Sequence, residues 1–259
     1  MSNCVYVLVV LFSVTTMFAA DEAAQKSFEE LKKKNWQESF SDTCTKNWQT
    51  KWFLDGIHAK VTNNSEAMTI DTSKGYAVLW TKPEFEGDVR IEYEFKRVDD
   101  FQKQGVNIIY IQATGDGQNG CDEDISKWSE KRKLAAMKNY FLNMHTYHIS
   151  YATADTKSPR SDYIRGRRYM PIENKGLKGT KLAGEYFKKG LFKDKKWVRI
   201  TIIKKDKKIW MEIKHPDKTQ LCFFENKDKP GIDKGRIGLR LMPNRLSQFK
   251  NFKVYTSGK

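Results

Sequence analysis

Cysteine and proline are scarce in this chain, at four and six residues among 259. Cys4 lies in an apolar N-terminal stretch, which leaves Cys44, Cys121 and Cys222 for the body of the protein. Three cysteines allow at most one intramolecular disulfide, so a disulfide scaffold is excluded. No CxxC and no His/Cys spacing of the zinc type occurs, and histidine itself is limited to four residues. The chain also lacks a P-loop, a dinucleotide fingerprint, a G-x-S-x-G elbow and an H-E-x-x-H helix, so each of those chemistries is without a motif. Internal repeats, proline-rich linkers and low-complexity tracts are missing too. No apolar run reaches membrane-spanning length, and no membrane span is expected.

The one uncharged apolar run, Val5 to Phe18, is followed by Ala19-Ala20 and then Asp21-Glu22. Its position and length predict a secretory signal over residues 1–20 and a secreted protein, extracellular or periplasmic, although the leading Ser2-Asn3 carries no basic residue. Hydrophobic residues at 39% suffice for a sizeable core, and aromatics at 13% exceed what a core alone requires. Charge is divided unevenly. Residues 1–150 hold 18 basic and 21 acidic side chains, whereas residues 151–259 hold 29 and 11. A basic half on a secreted protein attracts polyanions such as sulfated or uronic-acid polysaccharide. Much of the lysine falls in turns such as Lys204 to Lys208, where solubility explains it. Nucleic acid would account for the charge but not for secretion, and is not expected as a partner. Asn63-Asn64-Ser65 is a glycosylation sequon.

Ser27-Phe28-Glu29-Glu30 reads as a capping box opening a short helix, so residues 21–37 form a helical lead-in to a single domain over 38–259. From Phe40 onward the period is two, the mark of strands with one buried face. In Val89 to Lys96, Ile91, Tyr93 and Phe95 alternate with Arg90, Glu92, Glu94 and Lys96. Val106 to Gln112 is more continuously apolar, as a strand covered on both faces would be. Further strands are expected at 68–71, 76–80, 146–152, 163–169, 197–203, 209–214, 221–224, 236–241 and 249–255. Only Ile125, Trp128, Leu134, Met137 and Phe141 follow a helical spacing, after Asp124 as N-cap. A dozen or so strands with one inserted helix predict an all-β sandwich of two antiparallel sheets.

Gly235-Arg-Ile-Gly-Leu-Arg-Leu with Gln248-Phe-Lys-Asn-Phe-Lys-Val-Tyr resembles the closing strand pair of concanavalin A-like jelly rolls, the lectin/glucanase superfamily. Trp80 before Pro83-Glu-Phe-Glu-Gly-Asp-Val-Arg-Ile agrees with that resemblance. Gly105 to Gly115, Asn143 to Ala152 and Tyr163 to Pro171 resemble domain of unknown function 1961, a group of mostly bacterial, YesU-like proteins. The resemblance covers about residues 38–257. It implies the jelly-roll fold and a polysaccharide context, and it supplies no reaction.

Polar side chains within apolar strands single out the candidate site. Alternation puts His148 and Ser150 on one face, and Tyr163, Arg165, Arg167 and Tyr169 on one face with Arg168 opposite. If the polar faces line one concave sheet, His148, Tyr110, Gln112, Tyr163, Arg165, Arg167 and Arg240 meet in a groove, with Trp210 as a further sugar contact. Arginine grips carboxylate or sulfate bidentately and would acidify the proton beside a uronate carboxyl. His148 could then remove that proton, with Tyr163 or Tyr110 protonating the leaving oxygen, a lyase-type β-elimination. Two alternatives stay open. One is a carbohydrate-binding module without catalysis, with His148 a hydrogen-bonded structural residue. The other is a glycoside hydrolase with paired carboxylates, for which Glu92 with Glu94, or Glu212 beside Trp210, are candidates. No cofactor is required. Asp116, Asp122, Glu123 and Asp124 form an acidic loop that could seat a structural calcium without matching an EF-hand.

Overall fold

The computed structural model describes residues 21–99, 105–154, 162–171, 176–193 and 195–257, and the expected signal segment 1–20 lies outside them. The chain divides into two compact units, residues 1–35 and residues 36–259. In the first, a helix α1 covers 21–32, with Ala24, Phe28 and Leu31 on its buried stripe. Ser27 therefore sits within the helix rather than at its cap. The run Asp21 to Lys26 is made of good helix formers, and the helix continues through it.

The second unit is all-β, built of sixteen strands among the described residues. A first sheet has the order β14 (Lys218–Glu225), β13 (Lys208–His215), β12 (Val198–Lys205), β7 (Val89–Arg97), β16 (Leu246–Ser257), β4 (Met68–Asp71) and β3 (Lys60–Asn63). Strand β1 (Trp36–Asp42) adds to β16. The second sheet runs β2 (Trp52–Asp55), β5 (Ala77–Thr81), β15 (Lys234–Leu241), β8 (Gly105–Gly115), β9 (Met144–Ala154), β10 (Tyr163–Tyr169) and β11 (Lys181–Phe187). The two-residue β6 (Phe85–Glu86) pairs with β15. All pairs are antiparallel, and the sheets meet along one edge where β11 touches β14 at Ala183 and Glu225.

The main core lies between the sheets. Ile91, Tyr93, Phe95, Ile200 and Ile202 face it from the first sheet, and Ile109, Ile111, Tyr147, Ile149, Ile237 and Leu239 from the second. Period-two alternation produces this directly, because each strand turns every second side chain inward. A second apolar cluster covers the outer face of the second sheet, where Val78, Trp80, Ile108 and Tyr110 meet Ile125, Trp128, Ala135 and Tyr140 of the insert 116–143. That cover explains why β8 reads as apolar on both faces. The insert is not the single helix its spacing suggests. A 3-10 segment, Ile125–Arg132, kinks at Trp128, and a separate five-residue helix α2, Met137–Phe141, follows. Asp124 does cap the first piece, accepting from the Ser126 amide at 2.9 Å.

Between β12 and β13 the chain turns at Asp206, in the left-handed region at φ 52°. Cys44, Cys121 and Cys222 are all buried free thiols.

Candidate functional site

The registers of the second sheet bring the chosen residues onto its outer face. Phe53, Trp80, Gly238, Tyr110, His148, Arg167 and Lys181 are successive cross-strand partners and form one row. The next row of that face holds Asp55, Val78, Arg240, Ile108, Ser150, Arg165 and Glu185. Tyr163 and Tyr169 stand two positions beyond Arg165 and Arg167 along β10. The face is divided by what lies over it.

The half on β5, β15 and β8 is roofed by the insert. Trp80 stacks on Tyr110 with centroids 5.4 Å apart, and Tyr110 on Tyr140 of α2 at 5.8 Å, both 14° from parallel. Such pairs contribute about 0.5–1.5 kcal/mol each beyond area burial. Gly238 makes the stack possible, because a Cβ there would land far inside contact distance of the Trp80 ring. Asp55 fastens the roof. Its Oδ2 accepts from Arg132 Nε at 2.6 Å, Trp80 Nε1 at 2.8 Å and the Tyr140 hydroxyl at 3.0 Å. Arg132 also donates to the Trp128 and Ile125 carbonyls. Arg240 is 0% exposed, and its guanidinium lies 4.6 Å from the Tyr140 ring centre and 5.6 Å from that of Tyr76.

His148, at the seam, is 2% exposed. Its Nδ1 lies 2.6 Å from the Tyr169 hydroxyl and its Nε2 2.5 Å from Ser150 Oγ. Burial holds its pKa well below the ordinary imidazole range, helped by the charges of Arg167, Arg240 and Arg165. Burial pushes the Tyr169, Tyr110 and Tyr140 hydroxyls upward. The group is therefore a neutral hydrogen-bonded cluster at neutral pH. An imidazole with both nitrogens occupied and a depressed pKa is a weak proton acceptor.

The half on β10 and β11 is open. Arg165 pairs with Glu185 and lies 4.5 Å over the Tyr163 ring, while Glu185 also pairs with Lys181. Arg167 is half-buried and donates to Thr180 Oγ1 at 3.0 Å and the Leu177 carbonyl at 3.4 Å, both neutral acceptors. Burial and the nearby Arg165 lower its pKa.

Two expected members do not join this face. Gln112 sits in a bulge of β8 at φ 54°, and its amide donates to the Phe85 and Gly87 carbonyls, which turns it toward β6. Trp210 belongs to β13 of the first sheet, beside Phe223 at 5.2 Å, because its strand pairs with β12 and β14. Arg168 points opposite to Arg167 and donates to the Pro230 carbonyl. The carboxylate candidates are engaged elsewhere: Glu92 with Arg90, Glu94 with Lys250, and Glu212 with Lys214. In the acidic loop, Asp122 pairs with Lys127 and Asp124 with Arg236. Among the described residues no three His, Cys, Asp or Glu side chains gather as a metal-holding group.

Residues 40–254 match the family described as Domain of unknown function (DUF1961). The chain belongs to this family. No curated protein matches it. A Bacillus subtilis protein of unknown function with a galectin-like fold is 15% identical, with a TM-score of 0.68 over 86% of this chain and 98% of that one. A legume lectin-like domain from Entamoeba histolytica is 11% identical, with a TM-score of 0.60 over 85% and 97%. The exoplasmic/lumenal domain of VIP36, bound to Ca2+ and Man3GlcNAc, is 13% identical, with a TM-score of 0.56 over 87% and 92%. At these identities the likeness establishes the concanavalin A-like, lectin-type fold.

In this DUF1961 chain, sequence reasoning missed Asp55, Arg132 and Tyr140, the residues that close the roof, and it did not choose Tyr169. Tyr169 was legible in principle, since it shares the alternation of Arg165 and Arg167. Asp55 and Arg132 lie 77 positions apart, and no local period links them.

Proposed function

We propose that this chain is a secreted carbohydrate-binding protein for an acidic oligo- or polysaccharide, held on the open half of the second sheet by Arg167 with Arg165 and Tyr163. The observation that carries this reading is Arg167, a half-buried guanidinium beside Arg165 and Lys181 whose hydrogen-bond acceptors among the described residues are neutral. A carboxylate or sulfate placed there would supply the missing counter-charge in fork geometry. The Tyr163 ring offers a flat apolar surface of the kind sugars stack on. The lectin-type fold adds support as analogy only. Binding is favoured over cleavage because His148 is buried, doubly hydrogen-bonded and low in pKa.

One observation favours a second reading. The Tyr169 hydroxyl and His148 Nδ1, 2.6 Å apart on the face that carries Arg240 and Arg167, are the groups a β-elimination would use if substrate reached them. Calorimetry with polygalacturonate, alginate, heparin and neutral dextran, run beside an ultraviolet assay for unsaturated uronate, separates the two. The expected result is binding of at least one acidic polymer, weakened by salt, with no absorbance gain. Equal binding of dextran, or none of any acidic polymer, overturns the proposal, and an absorbance gain replaces it with the lyase reading.

A further inference from the structure

Five arginines of the second unit are almost wholly withdrawn from water, Arg97, Arg132, Arg168, Arg240 and Arg245, and Arg168 spends its donors on the Pro230 and Tyr169 carbonyls. Three of them have a carboxylate. Arg132 meets Asp55 at 2.6 Å, Arg97 meets Asp99 at 2.5 Å, and Arg245 meets Asp99 at 3.3 Å. Arg240 has none among the described residues. Its Nη2 donates to the Ala135 carbonyl at 2.9 Å and its Nε to the Met242 sulfur at 3.4 Å, while Nη1 has no hydrogen-bond partner. Burying a charge without its counter-ion is costly, and stacking on two tyrosines recovers only part of that cost. An unpaired donor on such a group points to an anion that belongs there.

The material over Arg240 is built to give way. Met137, only partly buried, sets its sulfur 3.8 Å from the Tyr110 hydroxyl and 4.0 Å from the Tyr169 hydroxyl. It opens α2, a five-residue helix whose N-cap, Ala136, makes no side-chain hydrogen bond. Just before it, Ala135 is buried at φ 48°, a left-handed conformation that a residue with a Cβ holds only under constraint. The constraint includes the Arg240 bond to the Ala135 carbonyl.

We propose that Arg240, with the hydroxyls of Tyr110 and Tyr169, forms a carboxylate subsite for a uronic acid residue, closed here by Met137. The inference rests on the acidic-glycan reading above and names its deeper seat. A carboxylate presents two oxygens to a guanidinium fork. One takes the unpaired Nη1, and the other takes Nη2 from the Ala135 carbonyl. That exchange frees the left-handed alanine and lets the Met137 turn lift, so ligand entry and roof opening are one event. The glycan reaches the seat from Arg167 along the row through His148.

The test measures binding to the full chain by calorimetry, with oligogalacturonate, its methyl ester and dextran sulfate as probes. The variants are Arg240→Gln, Met137→Ala and Arg167→Ala. Arg240→Gln should weaken oligogalacturonate at least about tenfold, the loss expected for a hydrogen bond to a charged group. It should leave dextran sulfate unchanged, because that probe engages only the open half. Met137→Ala should tighten oligogalacturonate several-fold, since less of the closed state must be overcome. The methyl ester should respond to neither variant. If Arg240→Gln does not fold, as a melting curve would show, Met137→Ala decides alone, because a purely structural Met137 would not raise affinity when trimmed. No change, or weakening, on Met137→Ala overturns the subsite. If Arg167→Ala still weakens both acidic probes in that case, the glycan-binding reading survives. If wild type binds neither acidic probe, both readings fall.

Discussion

Tyr110 and Arg167 stand in one row of one sheet with only His148 between them, yet one is sealed under an insert and the other faces an open edge. Both were singled out for the same reason, a polar group within an apolar strand. The roofed half pairs most of its polarity internally, through Asp55, Arg132 and a stack of three rings, and leaves Arg240 Nη1 unpaired. On the open half Arg165 is met by Glu185, and among the described residues Arg167 donates to neutral acceptors. Polar residues on a strand face thus have two meanings, a socket for another part of the chain or a socket for a ligand. The covering segment decides between them.

On that division, damage to the Asp55–Arg132 side of the roof, away from Met137 and Arg240, should appear as lost stability and damage to the open edge as lost binding. Arg132→Met should have the largest effect, about 3–5 kcal/mol in urea unfolding, because it leaves the Asp55 carboxylate buried and uncompensated. Replacing both partners, Asp55→Leu with Arg132→Met, should recover much of the loss. A single substitution costing under about 1 kcal/mol would mean that the ion pair does not hold the insert.

Gly238→Ala comes next. The added methyl must displace the Trp80 ring, so a cost of about 1–3 kcal/mol is expected, with a changed near-ultraviolet dichroism from the tryptophan. Unchanged dichroism and stability would remove the stack from the account of the roofed half.

The seam tests the comparison by pH. His148 carries a depressed pKa in the folded protein against about 6.5 when unfolded. The groups facing it are Arg167, Arg240 and Arg165 as charges, with Tyr169 and Ser150 as hydrogen-bond partners. Below about 6.5 the unfolded chain takes a proton that the folded chain refuses, so stability is full above that pH and falls as pH drops, by up to about 1.4 kcal/mol per unit. His145, lowered by burial and by Arg168, adds a contribution of the same sign. His148→Gln should flatten most of the slope in unfolding midpoints between pH 7 and pH 5.5 (about the imidazole range). A flat wild-type profile would show that His148 is not buried neutral.

The sheets were legible because burial imposes period two. Strands β4 and β10 fall on the expected residues, and alternation put Tyr110, His148, Arg165, Arg167 and Arg240 on the face they share. Strand β11 was not legible. Of its residues Lys181 to Phe187 only Leu182 is buried, so no alternating buried face wrote a period into them. The roof was hidden for a different reason. Alternation reports which side of a sheet a residue occupies and nothing of what lies above it, so a buried Arg240 and a half-open Arg167 look alike in sequence. Gln112 broke the pattern through a bulge, a backbone choice that side-chain periodicity cannot register.

Arg167→Ala should have the smallest effect on folding and is the sharpest test of the open half. The side chain is half-buried, lies beside another guanidinium and, among the described residues, donates to Thr180 and the Leu177 carbonyl, so its removal relieves repulsion while losing two neutral acceptors. Those contributions oppose each other, and the unfolding free energy should stay within about 0.5 kcal/mol of wild type. Affinity for an acidic glycan should fall nonetheless, because the other β10 guanidinium on this face, Arg165, is already paired with Glu185, and Arg168 faces the other way. The salt dependence of binding should weaken with it, since the charge that is screened over about 8–10 Å would be gone. A variant that lost several kcal/mol of stability while binding as before would reverse the assignment. Arg167 would then belong with Asp55 and Arg132 as a socket for the chain itself.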